Sequence, residues 1–144
     1  MARTVVITGS TSGIGLGIAA GFAKAGENVM LNGFGSEAEI AEAVASLEKL
    51  GGGTIAYHPA DMTRPDEIAD LIATADKTFG GIGILVNNAG IQHVSAIEDF
   101  PADKWDRIIA INLTSSYHTI RHAVPLMKKA GSGRIINVVS AHGL

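Results

Sequence analysis

No cysteine occurs in this chain, so neither a disulfide framework nor thiolate chemistry is available to it. No apolar run approaches the length needed to cross a bilayer, and the N-terminus lacks the pattern of a secretory signal. Basic residues are not in excess either. Lys and Arg number 11 against 14 Asp and Glu, a formal net charge of −3. That balance argues against nucleic acid as a partner, because its binders present a basic face. No membrane partner is expected, and the expectation is a soluble, cytoplasmic protein. With 144 residues, 47% of them apolar, the chain is long enough for one domain with a core and too apolar for disorder.

What is present alternates in type. Short apolar runs predict strands at 4–8, 28–32, 54–58, 84–86 and 134–139, all five read as buried. Between them, spacings of three and four predict helices at 13–24, 36–50, from about 63 to 79, and a long one at 102–129. Ile14, Ile18 and Phe22 read as the apolar face of the first helix. Ile40, Val44 and Leu47 read as that of the second, with Ser36 as its N-cap. Ile68, Leu71, Ile72, Ala75 and Phe79 carry the third, and Pro125 should kink or fray the last turns of the fourth. Strands alternating with helices specify an α/β fold, a doubly wound, Rossmann-like parallel sheet forming one dinucleotide-binding domain over 1–144. In such folds ligands gather outside the carboxyl ends of the strands. Ser10, Asn32, Asp61, Asn88 and Ser140 all follow strands.

The stretch from Thr8 to Gly15, Thr-Gly-Ser-Thr-Ser-Gly-Ile-Gly, lies between the first strand and the first helix. Glycines there let an anion approach backbone amides that already point outward at a helix N-terminus. The spacing of Gly9, Gly13 and Gly15 is four and then two, which is not the common dinucleotide fingerprint. No Lys-Ser or Lys-Thr pair follows, so it is not a P-loop. A tight turn with no ligand would look the same; its place after the first strand favours a pyrophosphate site. His118 and His122 stand one helical turn apart, but no third ligand is evident and no metal is expected.

Several segments together carry a resemblance. Residues 8–15, then Asn87-Asn88-Ala89-Gly90, Asn112 within Ile-Asn-Leu, and Ser140 after the last strand resemble, in that order, the hallmarks of the short-chain dehydrogenase/reductase family. The segments 31–35, 90–93 and 140–144 are similar to those of members that oxidise D-3-hydroxybutyrate to acetoacetate. The resemblance implies a nicotinamide cofactor held by Gly9, Thr11, Gly13, Ile14, Gly15, Phe34, Asp61, Met62, Asn88 and Gly90. It implies Ser140 and Asn112 as catalytic residues, with Asn112 at a helix distortion holding a relay water. Gln92, Ser140 and His142 are implied for a small hydroxy-acid substrate, and a homo-tetramer as the assembly. Other readings stay open at several positions. Asp61 also suits a helix-start turn, Phe34 a partly exposed loop, Asn112 an exposed helix position, and His142 a solvated loop. NAD is the expected cofactor, since Asn32-Gly33-Phe34 offers neither the carboxylate nor the arginine that the two cofactors' riboses attract.

The resemblance also implies a tyrosine general base with a lysine one helical turn on, beyond the serine. Neither Tyr57 nor Tyr117 has a lysine four residues later. The expectation is an N-terminal part of a longer enzyme, truncated after its fifth strand and inactive alone. A nucleotide-binding module without catalysis is the alternative. A methyltransferase fits less well, because no acidic residue ends the second strand.

Overall fold

The structure is a computed structural model, and it describes residues 1–140. The continuous apolar runs become β1 (Thr4–Ile7), β2 (Asn28–Asn32), β3 (Ile55–His58), β4 (Ile84–Asn87) and β5 (Arg134–Asn137). They form one parallel sheet in the order β3-β2-β1-β4-β5. Alternation sends Val5, Ile7, Val29, Leu31, Ile84 and Val86 to one face, where Ala19, Ala23, Ala43 and Leu47 cover them. Val6, Met30 and Leu85 face the other way, onto Ile68, Leu71, Ile72, Ala75, Ala123 and Met127. Burying each large aliphatic side chain contributes about 1.5–3 kcal/mol, so these two layers hold the sheet.

The helices are α1 (Gly13–Lys24), α2 (Glu37–Glu48), α3 (Pro65–Phe79), α4 (Ala102–Ile109) and α5 (Ser115–Ala130). Ser36 caps α2 as expected. Its hydroxyl accepts from the Glu39 amide at 3.2 Å while the Glu39 carboxylate accepts from the Ser36 amide at 2.8 Å. Pro65 opens α3, whose expected stripe is the buried one, and Gly80 in the left-handed region closes it.

Four expectations are corrected. The buried residues of α1 are Gly15, Ala19 and Ala23, not Ile14, Ile18 and Phe22. Small residues let this helix lie close to the sheet, and Ile14 is left 72% exposed. Helix α2 buries Ala43 and Leu47, stops at Glu48, and leaves Ile40 and Val44 only partly covered. The distortion that the resemblance implies at Asn112 is present as a π-helical turn, Ala110–Thr114, so the single helix expected over 102–129 becomes α4 and α5, and α5 continues past Pro125 to Ala130. Finally, β5 is exposed throughout rather than buried, since it lies at the sheet edge where no described helix covers its α1-side face.

The first three strands proceed outward from β1, and the chain then returns to place β4 on β1's other side. The order therefore reverses between β1 and β4. Their carboxyl ends part there, opening a crevice.

Candidate functional site

The crevice is built by loops that hydrogen-bond one another. The Thr8 hydroxyl accepts from the Asn88 and Ala89 amides, each at 3.0 Å. The Asn88 side-chain amide donates to the carbonyls of Thr8 at 3.1 Å and Gly9 at 2.9 Å. Gly15 sits so close beneath this knot that an added Cβ would lie 2.5 Å from the Asn88 amide nitrogen and 2.8 Å from Ser10 Cα. Only glycine fits there. Ser12 occupies the N-cap of α1 without bonding it through its side chain, and no acidic residue stands in the first turn. The helix thus presents its first amides and positive dipole end with no side-chain carboxylate against them.

A second wall comes from the end of β2. Asn32 is 1% exposed, and its side chain is fully committed. It donates to the carbonyls of His58 at 3.1 Å and Ala60 at 2.9 Å, and accepts from the Gly9 amide at 3.2 Å. Asn32 is therefore a bracket between three loops, and the side chain exposed after β2 is that of Phe34. The Thr11 hydroxyl donates to the Phe34 carbonyl at 2.9 Å, and the Tyr57 hydroxyl donates to the Gly33 carbonyl at 2.6 Å. Both bonds hold this loop against the glycine turn. Buried Ser10 donates to the Ile7 carbonyl at 2.7 Å and accepts from the Asn32 amide, so it is structural too.

The third wall is the turn after β3. Asp61 accepts from the Thr63 amide at 2.8 Å and from the Thr63 hydroxyl at 2.7 Å. Those two bonds, with Arg107 and Arg64 nearby, hold its carboxyl below the ordinary range against the opposing effect of burial. The fourth wall is α4 and the π turn. There the Asn112 side chain accepts from the Ile91 amide at 2.9 Å and donates to the Ile91 carbonyl at 2.8 Å, tying the loop after β4 to the distorted helix.

Together the walls enclose a cavity of about 470 Å³. Eight of the expected residues line it: Gly9, Thr11, Ile14, Gly15, Phe34, Met62, Asn88 and Gly90. Gly13, Asp61, Asn112 and Ser140 stand outside its lining. Ser140 is exposed, three residues beyond β5 on the same edge of the sheet. Gln92 lines a separate cavity of about 120 Å³ with His93, Lys104 and Arg107, and His142 lies outside the described residues. The sequence reading missed Ala60, Ile91, Arg107 and Ile111, which also line the larger cavity. Arg107 and Ile111 share one face of the helix four residues apart, but nothing in one sequence says what that face meets. The volume suits an extended small molecule. Amides at the glycine turn suit its anionic part, and Phe34, Met62, Ile91 and Ile111 suit flat apolar parts. No cluster able to hold a metal occurs among the described residues, so the His118 and His122 pair has no third ligand there.

A family described as short chain dehydrogenase matches residues 3–144. D-beta-hydroxybutyrate dehydrogenase of Rhizobium meliloti is 62% identical over 144 residues, all of this chain and 56% of that protein. The protein of the same name in Cupriavidus necator is 56% identical over 146 residues, 99% of this chain and 54% of its own length. The chain thus spans about half the length of the curated relatives it matches. The crystal structure of L-sorbose reductase from Gluconobacter frateurii, complexed with NADPH and L-sorbose, superposes with a TM-score of 0.91. The two are 34% identical, over 97% of this chain and 53% of that one.

Proposed function

The chain belongs to the short-chain dehydrogenase family, and from that premise we propose that it is the cofactor-binding part of an NAD-dependent oxidoreductase that converts D-3-hydroxybutyrate to acetoacetate. The carrying observation is the crevice itself, where Gly15 admits no Cβ, the start of α1 is uncapped, and the cavity continues along Phe34 to Met62. These residues fit a dinucleotide. The glycine turn and the α1 amides take the pyrophosphate, Phe34 flanks the adenosine, and Asp61 with Met62 reads the adenine. Asn88 and Gly90 take the nicotinamide-side ribose. When bound, the nicotinamide supplies the acceptor for the hydride leaving the carbinol carbon.

Ser140 holds the reacting oxygen, while Gln92 and His142 grip the substrate carboxylate. Asn112, whose side chain ties Ile91 to the π turn, holds the relay water. The hydroxyl proton passes to a tyrosine that is not among these residues, and the 144-residue chain alone binds cofactor without turnover. Assembly as a homo-tetramer, and a cytoplasmic location, belong to the same proposal. Exposed Trp105, Ile109, Leu113 and Tyr117, spaced by four along α4, the π turn and α5, support pairing of the long helices.

NAD is favoured over NADP because no cation stands after β2. Arg107, the one arginine among the described residues that line the cavity, lies on the opposite wall close enough to Asp61 to help hold that carboxylate ionised. Calorimetric titration tests this. NAD should bind at least about tenfold tighter than NADP, a difference of about 1.4 kcal/mol; tighter NADP binding overturns the reading.

A further inference from the structure

A chain of hydrogen bonds leads from Asp70 on the surface of α3 to the cavity wall, and His58 is the link between the two. His58 ends β3 and is 9% exposed. Its Nδ1 accepts from the Ala60 amide at 3.1 Å, and its Nε2 lies 2.7 Å from an Asp70 carboxylate oxygen on α3. An amide can only donate and a carboxylate can only accept, so the ring is the neutral tautomer with its hydrogen on Nε2. Beyond it, the Ala60 carbonyl accepts from Asn32, and Asn32 accepts from the Gly9 amide. Ala60, Asn32 and Gly9 all line the cavity, whereas His58 does not.

The ring's second proton has one place to go. It must bind Nδ1, where it removes the acceptor of the Ala60 amide and sets one N–H against another. The Asp70 bond survives that change and becomes an ion pair, so the contact that is lost is the one between the ring and the Ala60 amide. No nearby charge takes over the Ala60 amide. Asp61 is held by Thr63, its amide donates to Glu67 at 3.1 Å, and Glu67 pairs with Arg64 at 2.6 Å. Asp66 stands one helical turn before Asp70 on α3, and from β2 the neighbour in register is neutral Asn32.

We infer that His58 is a positioning residue for the cofactor cavity, and that its protonation at Nδ1 detaches the Ala60–Met62 wall and weakens dinucleotide binding as pH falls. The inference rests on the cofactor reading above for its consequence, but its geometry can be tested without cofactor.

Two substitutions separate the ring's two bonds. The amide oxygen of His58→Asn can occupy the Nδ1 position and accept from Ala60 without titrating. The amide nitrogen of His58→Gln can reach Asp70 while leaving Ala60 unserved. NAD affinity of the full-length protein is measured by calorimetry from about pH 8 to about pH 5, where histidines change charge. Nitrogen NMR of labelled histidine and alanine follows the ring tautomer and the Ala60 amide in the cofactor-free protein.

In the unsubstituted protein, affinity should fall by about tenfold on acidification, the effect of leaving one buried donor unpaired. His58→Asn should keep its high-pH affinity across the range. His58→Gln should bind weakly at every pH. The free protein should show a bare Nδ1 at high pH and an Ala60 resonance that moves with the ring's titration. A hydrogen on Nδ1 at high pH overturns the inference, as does affinity that stays flat while the ring titrates. If NAD binds at no pH, the cofactor reading fails instead, and the ring tautomer with the Ala60 resonance decides this inference alone.

Discussion

Asn32 ends β2, just before the loop where related folds put the side chain that reads the cofactor ribose, and it is turned inward. Its amide donates twice, to His58 and Ala60, and its oxygen accepts from Gly9. An aspartate there has the same shape but no donors, and it buries a charge. Asn32→Asp should therefore lose about 2–4 kcal/mol of stability, measured by denaturant unfolding, without improving NAD affinity. A gain in NAD affinity at unchanged stability would mean the side chain reaches the ligand after all. Gly15 gives a complementary case. Gly15→Ala should push the glycine turn away from Asn88 and reduce NAD binding below detection by calorimetry, because the displaced atoms are backbone and a clamped amide that have no room to yield.

Among the elements, α3 was the most legible in sequence, since Ile68, Leu71, Ile72 and Ala75 repeat at helical spacing and are all buried. Helix α1 was less so. The fully buried residues of its contact face are glycine and alanine, which hydrophobic periodicity scores as nothing, while Leu16, Ile18 and Phe22 only flank the core and Ile14 lines the cavity. The apolar composition of β5 was legible but its exposure was not, because composition says what a strand can bury and not what lies beside it. The glycine turn could be found from its place after β1. Arg107 could not, since it enters the cavity from a helix distant in sequence.

A different element-level contact fixes the start of β1. Arg3 gives its backbone amide and its side-chain Nε, at 2.7 Å, to the carboxylate of Glu27, which is 8% exposed in the turn before β2. The bond from the Arg3 side chain is the main cause holding this carboxyl below its ordinary value, and burial opposes it. A group with a depressed folded-state pKa contributes stability above its unfolded value and loses it as pH falls through the folded one. Stability should therefore decline in the acid range below about pH 4.3, the ordinary glutamate value, and Glu27→Gln should flatten that part of the profile. Thermal melts of both proteins across this range check it, and parallel profiles would exclude Glu27 as the source.

The molecule as described has one sheet with two unequal edges. At β3 the edge strand is partly buried, with Ile55 and His58 covered. At β5 the edge is apolar and open. Ile135 shares the face of Leu85 and borders α5, while Ile136 shares the face of Val86, where nothing described covers it, and is 45% exposed. Val139, just beyond, is 78% exposed. Unpaired edge groups and apolar faces of this kind drive strand pairing between chains, and natural edges are commonly protected by charge. The 144-residue chain alone should therefore self-associate with rising concentration in sedimentation velocity. Ile136→Lys combined with Val139→Lys should shift it toward monomer, because each lysine adds charge and removes apolar surface without touching the two buried layers or the cavity. Trp105→Lys on α4 separates this edge from the helix face proposed above for assembly. If the edge variant associates unchanged and Trp105→Lys alone yields monomer, the helices rather than β5 carry the contact.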